Sequence, residues 1–314
     1  MNFDIDARTI ILVRHGSHAY GLSTPTSDED FKGVCIKPKD FYYGFLNSFE
    51  QYEHMGSKSD GIDKVIYSLE KFAKLAADCN PNIIECLHVD DSDIIKIDKF
   101  GEELRGIRDL FISKKAKHTF SGYSHAQLNR IKLHRSWLLN PPNAPPQRKD
   151  FDLHEQSITH SELGAFEAAD DETLEFIPAR MLTIFTREKQ YKAAKLQFDQ
   201  YQNWLKTRNP ARAALEAKFG YDTKHGYHLV RLMKMCREIL TSGEVHVKRV
   251  DDRDELIGIR NGSMNYDELI EYAQKIEDEC SVLYETSTLR HEPDRKLLSD
   301  VIVSITERYL SKHG

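Results

Sequence analysis

The sequence predicts an α+β protein, in which a β-sheet with flanking helices is followed by a mostly α-helical region. Apolar runs at residues 10–13 and 31–36 have the length of buried strands, and residues typical of turns separate them. From residue 113 onward, the long apolar patterns have helical spacing instead. We therefore expect an N-terminal domain over residues 1–112 and a helical domain over residues 113–314.

Local patterns place the further elements of the N-terminal domain. The alternation and spacing of apolar residues predict strands over residues 28–36 and 62–67, and helices over residues 69–76, 82–87 and 100–111. Pro81 fits the first turn of the second of these helices, because its fixed φ suits that position.

The second domain is predicted as a series of helices. They are a long segment that ends near residue 140, followed by residues 187–208, 210–219, 224–243, 266–286 and 293–313. The proline-rich segment PPNAPP, residues 141–146, is predicted to be a loop. Residues 161–173 are acidic with few apolar side chains, and we expect a surface loop there as well.

Composition excludes several classes of protein. The chain has 44 Lys and Arg residues against 50 Asp and Glu, a net charge of −6, and 40% hydrophobic residues, as globular proteins do. No apolar stretch approaches the ~20 residues of a membrane span, and the N-terminal residues lack the pattern of a secretory signal. The scattered cysteines predict reduced thiols in the cytoplasm and no structural zinc; they are Cys35, Cys79, Cys86, Cys236 and Cys280.

The segment from residue 16 to residue 33, GSHAYGLSTPTSDEDFKG, carries most of the functional signal. Gly16 and Ser17 follow an apolar run, and such a turn into a short helix offers backbone N–H groups to a phosphate. Asp28 and Asp30 come about ten residues later, and on a strand both point the same way. Two carboxylates this close repel by roughly 4 kcal/mol at a dielectric constant near 20. A divalent cation would bind between them, and hard oxygen ligands favour Mg²⁺ or Mn²⁺.

The same residues allow a second interpretation. Arg14-His15-Gly16 after an apolar run resembles the opening motif of histidine phosphatases, in which His15 would accept the phosphoryl group and Arg14 would hold it. That chemistry needs no metal and leaves Asp28 and Asp30 unexplained. No second phosphatase motif stands out among the 14 histidines, so we favour the metal-dependent interpretation.

The segment closely resembles the hallmark of the DNA polymerase β nucleotidyltransferase superfamily, which is Gly-Ser, a spacer, and Asp-x-Asp on the next strand. Its extended form is most similar to the RNA-repair branch, the RNA-ligase-associated nucleotidyltransferases of bacteria and phages. Three further segments resemble that branch less specifically: SKKAKHTFSGY, residues 224–243, and RDELIGIRNG. The resemblance implies a mixed β-sheet flanked by helices and the transfer of NMP from an NTP with Mg²⁺ or Mn²⁺.

The resemblance also implies a third carboxylate on a neighbouring strand, which completes metal ligation and helps to deprotonate the attacking hydroxyl. We assign this role to Asp63, which lies at a strand-like position before YSLEKFAKLA, a segment similar to the repair branch. Asp60 and Glu53 are the alternatives, and Asp63 could instead be a helix N-cap.

Basic helical segments supply candidates for nucleotide binding. Residues 113–149 contain eight Lys or Arg and no Asp or Glu, and residues 224–243 place basic side chains opposite an apolar stripe. Such patches bind triphosphate or an RNA backbone, although a solvated basic face is the alternative. The candidates, besides Gly16 and Ser17, are Lys115, Tyr123, Arg130, Lys224, His228 and Arg231.

The acceptor is less defined than the reaction. The resemblance favours an RNA 3′ end, with tRNA-like molecules as a natural candidate, and the helical region leaves room for a long acceptor. A protein or small-molecule acceptor is the alternative within the enzyme class. A third possibility is an inactive nucleotide- or RNA-binding module, and the identity of the NTP and the oligomeric state are left open.

Overall fold

The structure is a computed structural model that describes residues 3–25, 27–56, 61–155, 158, 160–170, 174 and 177–313. The chain forms two compact units. The first unit combines the residues up to Ile131 with those from Asp222 onward, and the second comprises Lys132–Tyr221. The division into domains at residue 112 stays a prediction.

The first unit contains a mixed five-stranded β-sheet within its described residues. The strands are β1 (Thr9–His15), β2 (Glu29–Cys35), β3 (Gln51–His54), β4 (Ile62–Ser68) and β5 (Ile94–Ile97), in the order β3-β4-β2-β1-β5. Strands β2 and β4 are parallel, and the other neighbouring pairs are antiparallel. This sheet and the helices after it confirm the predicted α+β class.

Helices make up most of the remaining described chain. In chain order they are α1 (Ile5–Arg8), α2 (Gly16–Ala19), α3 (Asp40–Tyr43), α4 (Leu69–Ala77), α5 (Pro81–His88), α6 (Lys99–Gly106), α7 (Lys115–Leu139), α8 (His160–Glu167), α9 (Ala179–Thr207), α10 (Pro210–Phe219), α11 (Thr223–Ser242), α12 (Arg253–Arg260), α13 (Tyr266–Thr286) and α14 (Arg295–His313). Among the described residues, no helix is long and apolar enough to cross a membrane.

Caps explain where the helices beside the sheet begin. The Ser68 hydroxyl accepts a hydrogen bond from the Lys71 amide at the start of α4. Asn80 caps α5, whose first residue is Pro81 as predicted. Asp222 caps α11, and Gly243 ends it with a φ of +76°, a conformation that glycine adopts without strain.

The prediction of a surface loop over residues 161–173 is wrong, because α8 occupies the first part of that stretch. Within the second unit, Leu163 is buried, and the Phe166 ring stacks on Phe185 with centroids 4.4 Å apart. The packing of Leu163 and Phe166 therefore stabilises a helix that the acidic composition does not predict. Helix α9 likewise begins at Ala179, eight residues before the predicted start at residue 187.

Candidate active site

The strand register brings the predicted acidic residues together at one place on the sheet. Asp30 pairs with His15 on the antiparallel strand β1 and with Asp63 on the parallel strand β4. Gly16 directly follows β1 and therefore lies beside Asp30. Asp28 precedes β2 by one residue and faces the same side as Asp30.

A cavity of about 300 Å³ opens at this place. Its wall is formed by the turn at the end of β1, by the first residues of β2 and β4, and by residues of α5, α11 and α12. The polar residues in the lining are His15, Ser17, Tyr20, Ser27, Asp28, Asp30, Lys32, Asp63, Asn82, Lys224, Tyr227, His228 and Arg260. All of them belong to the first unit.

The three carboxylates are in electrostatic contact. Burial and the nearby Asp63 carboxylate raise the pKa of Asp30, whereas Lys32 and Lys224 act in the opposite direction. Asp63 is fixed by a hydrogen bond of 2.9 Å from the Gly56 amide to its Oδ1. The three carboxylates line one cavity and offer the hard oxygen donors that Mg²⁺ or Mn²⁺ prefers, so these residues fit a divalent metal.

The alternatives for the third carboxylate differ in position. Glu53 lies on β3 opposite Val65 and is absent from the cavity lining. Asp60 lies outside the described residues. Asp63 lines the cavity opposite Asp30, which favours it over Glu53. It is not a helix N-cap, since α4 begins only at Leu69.

Gly16 meets two separate requirements for glycine. Its φ is +65°, in the left-handed region, and a β-carbon at this position would overlap Oδ2 of Asp30. The turn continues into α2, where the Tyr20 amide donates to the Gly16 carbonyl and the Leu22 amide donates to that of Ser17. The close approach of backbone and carboxylate is thus possible only without a side chain.

We expect Gly16→Ala to lower any activity of this cavity by about ten- to a hundredfold and to cost about 1–2 kcal/mol of stability. The β-carbon would displace the Asp30 carboxylate as well as strain the turn. Turnover and urea unfolding measure the two effects. Gly122→Ala is the control, since a β-carbon there meets nothing within 4 Å, and a G16A variant with wild-type turnover would contradict the assigned geometry.

Helices α11 and α12 supply cations and a neutral imidazole to the same cavity. Lys224 and His228 line it as the sequence predicts, and Arg260 joins them. The Arg260 guanidinium is held by a hydrogen bond of 2.6 Å to the Leu22 carbonyl. Burial, with Arg231 and Lys224 nearby, lowers the pKa of His228 well below its usual range, so this imidazole is neutral at physiological pH.

Comparison with known proteins agrees with this geometry. Residues 3–138 match the model of the RNA repair pathway DNA polymerase beta family. This segment is therefore similar to that family, which supports the RNA-repair branch of the DNA polymerase β superfamily. The match contains the Gly16 turn and all three carboxylates, and it confirms the resemblance read from the sequence.

One relative extends over most of the chain. An Enterobacteria phage T4 protein, titled "Uncharacterized 38.9 kDa protein in nrdC-mobD intergenic region", is 26% identical over 303 residues. The alignment covers 87% of this chain and 88% of the phage protein. No solved structure matches the chain.

The geometry opposes the phosphatase interpretation. Arg14 and His15 point to opposite faces of β1: Arg14 lies 3.7 Å from Asp93, whereas His15 lines the cavity. His15 Nε2 is 3.3 Å from Glu85 Oε2, and burial lowers the pKa of His15 to about 4. The two side chains therefore do not converge on one phosphoryl group.

The position of Arg231 differs from that expected of a nucleotide-binding residue. It is only 3% exposed and absent from the cavity lining, and its Nη1 donates to Glu85 Oε1 at 2.6 Å. Helix α11 is buried on most sides, so Arg231 is not on an open basic face of the kind expected opposite the apolar stripe. Arg231 thus lies behind the cavity wall, not in contact with its contents.

Glu85 is the centre of a buried network that the sequence analysis missed. Besides Arg231, it accepts a 2.6 Å hydrogen bond from the Tyr20 hydroxyl, while the Arg231 guanidinium lies 3.7 Å from the centroid of the Tyr20 ring. Burial alone would raise the pKa of Glu85, but Arg231, His15 and Tyr20 outweigh burial and hold it well below its usual range. The sequence feature that could have indicated this network is the single carboxylate within the apolar run IIECL.

The candidates on α7 lie away from the cavity lining. Lys115 bonds to Asp78 at 3.1 Å, and the Tyr123 hydroxyl accepts a hydrogen bond from Asn80. Arg130 is exposed. In this arrangement none of the three reaches the carboxylates, so a direct role in holding the triphosphate there is not supported.

Proposed function

We propose that the protein transfers NMP from an NTP to a hydroxyl group at the 3′ end of an RNA, in a reaction that requires Mg²⁺ or Mn²⁺. The observation that carries the proposal is the cavity in which Asp28, Asp30 and Asp63 lie beside the Gly16-Ser17 turn. The match of residues 3–138 to the RNA repair pathway DNA polymerase beta family supports a nucleotidyltransferase-like role in RNA repair. The choice of acceptor rests on that family alone.

In this proposal Asp28, Asp30 and Asp63 hold the divalent ions. When bound, such ions polarise the acceptor hydroxyl and neutralise phosphate charge. Asp63 is in addition the group that accepts the proton from the hydroxyl. The raised pKa of Asp30 reflects burial and the closeness of its carboxylate neighbours, which a bound cation would relieve.

The Gly16 turn and the helical side of the cavity would bind the triphosphate. The Gly16 and Ser17 amides and the Ser17 hydroxyl face the phosphates, and Lys224 and Arg260 neutralise the charge that develops on the leaving pyrophosphate. His228 is neutral and can both donate and accept a hydrogen bond, which suits a ribose hydroxyl or a base edge better than a phosphate.

Metal removal is the first test of the proposal. The purified protein is incubated with total cellular RNA, Mg²⁺ or Mn²⁺, and each labelled NTP in turn. We expect labelled RNA on a denaturing gel. We expect EDTA to lower incorporation at least about a thousandfold. Restored activity after excess Mg²⁺ shows that the loss comes from the metal. Incorporation that persists in EDTA would refute the metal mechanism.

The acceptor is tested separately. Label found in protein or in a small molecule, with none in RNA, would overturn the RNA acceptor while leaving the transfer reaction intact. For an RNA acceptor we expect binding that weakens steeply with salt, because phosphate contacts release counterions.

A further inference from the structure

Lys32 lines the cavity but has no role in the scheme above. Lys32 lies on β2 two residues after Asp30, so its side chain is on the same face of the sheet as Asp28 and Asp30. It is opposite Val13 on β1 and Val65 on β4, and it lines the cavity between the carboxylates and α5. The sequence analysis missed it, although it directly follows the Asp-Glu-Asp-Phe motif.

The contacts of Lys32 are with uncharged groups. Its Nζ donates a 3.0 Å hydrogen bond to Asn82 Oδ1 and lies 3.4 Å from His15 Nε2. Within the described ranges, no carboxylate oxygen lies within 4.0 Å of this Nζ. An ammonium has three N–H donors, so at least one remains for a group inside the cavity.

The charges of the lining indicate what that group is. Among the described lining residues, three carboxylates, Asp28, Asp30 and Asp63, are matched by three cations, Lys32, Lys224 and Arg260. Two divalent ions and a fully ionised triphosphate also carry equal and opposite charge. The metal–nucleotide complex can therefore enter without leaving a net charge in the cavity, provided that each lining cation has a phosphate oxygen near it.

We propose that Lys32 binds the phosphate chain of the nucleotide from the sheet side of the cavity, while Lys224 and Arg260 bind it from the helical side. This inference rests on the proposed function. Asn82 is then a positioning residue, because its carbonyl oxygen fixes the Lys32 ammonium. A fixed cation on the sheet holds the phosphates against the carboxylates that bind the metal.

The test measures two affinities that should move in opposite directions in Lys32→Met. With a non-hydrolysable NTP analogue and Mg²⁺, we expect calorimetry to show affinity about ten- to a hundredfold lower than wild type. With Mn²⁺ alone, followed by electron paramagnetic resonance, we expect tighter binding, because the carboxylates lose a neighbouring cation. A merely structural defect would weaken both.

Two further variants sharpen the result. Lys32→Arg keeps the charge, so its Mn²⁺ affinity should equal that of the wild type. Lys64→Met is the matched control, since Lys64 is next to Asp63 in sequence but bonds to Asp6 at 2.6 Å and is absent from the lining. It should leave both affinities unchanged.

The outcomes separate this inference from the function on which it rests. If the wild type binds Mn²⁺ and the analogue, and Lys32→Met binds the analogue equally well or Mn²⁺ more weakly, the role of Lys32 is overturned and the proposed function stands. If the wild type binds neither probe, both are overturned. Turnover is not needed for either decision.

Discussion

We expect Asp30→Asn to lower nucleotide transfer at least about a thousandfold, because a metal ion contributes several kcal/mol of transition-state stabilisation and Asp30 is central among its proposed ligands. Asp30 is the residue that pairs directly with Asp63 across β2 and β4. Asparagine keeps the shape of the side chain but removes its charge. Initial rates with labelled NTP measure the loss.

The same substitution should raise the melting temperature of the metal-free protein. Burial and Asp63 raise the pKa of Asp30 in the folded state, so the ionised carboxylate destabilises the fold above that pKa. The destabilisation shrinks as the pH falls through the folded pKa, and it is gone below the unfolded pKa, where the group is protonated in both states. The gain in D30N should therefore be largest at neutral pH and shrink on acidification.

Glu29→Gln is the matched control for Asp30→Asn. Glu29 is the adjacent residue of β2, points to the opposite face and is absent from the cavity lining. The E29Q variant should keep wild-type activity, and its melting temperature should lie within about 2 °C of the wild-type value. A stable D30N variant that retains activity would remove Asp30 from the mechanism.

The cavity residues whose positions were predicted correctly are those that belong to a short motif in the sequence. Gly16, Asp28 and Asp30 lie within 15 residues of one another, in a strand–turn–helix and a following strand that the apolar pattern reveals. Asp63 was predicted through the resemblance, and the parallel pairing of β2 with β4 places it opposite Asp30. Their roles stay proposals.

The residues that sequence analysis missed, or whose position it did not predict, depend on packing between distant segments. Glu85 and Arg231 are 146 positions apart, and periodicity cannot show that a basic residue of α11 turns inward to meet a carboxylate of α5. Arg260 reaches the cavity through its bond to the Leu22 carbonyl, another distant contact. The position of Lys115 could not be predicted for the same reason, because its partner Asp78 becomes a neighbour only in the fold.

The second large effect is expected in the buried network. We expect Arg231→Met to destabilise the protein by about 3–5 kcal/mol, because it leaves the Glu85 carboxylate buried without its cation. Glu85 is 1% exposed, and Arg231 lies 2.6 Å from it. Urea unfolding of the two proteins at pH 7 measures the difference.

Arg237→Met provides a control on the same helix. Arg237 pairs with Glu279 at 2.8 Å, but both side chains are more than a third exposed, and exposed pairs contribute about 0–1 kcal/mol. A loss in R231M no larger than that in R237M would show that burial of the pair has no energetic consequence.

The pH dependence of R231M distinguishes a lost charge from lost packing. In the wild type, Glu85 has a pKa below its usual range, so its contribution to stability is complete above the unfolded pKa and is lost as the pH falls below it. In R231M the pKa should instead be raised by burial, so that protonation relieves the defect. The difference in stability between the two proteins should therefore narrow as the pH falls from 7 toward 5.

A double-mutant cycle with Glu85→Met completes the argument. If the defect of R231M is the uncompensated carboxylate, removing that carboxylate should recover about 1–3 kcal/mol, although the Tyr20 hydroxyl then loses its acceptor. Tyr20 and His15 flank the Gly16 turn and both contact Glu85. The double variant should thus regain stability but not full activity, which would show that the ion pair positions the Gly16 turn for its proposed contacts with phosphate.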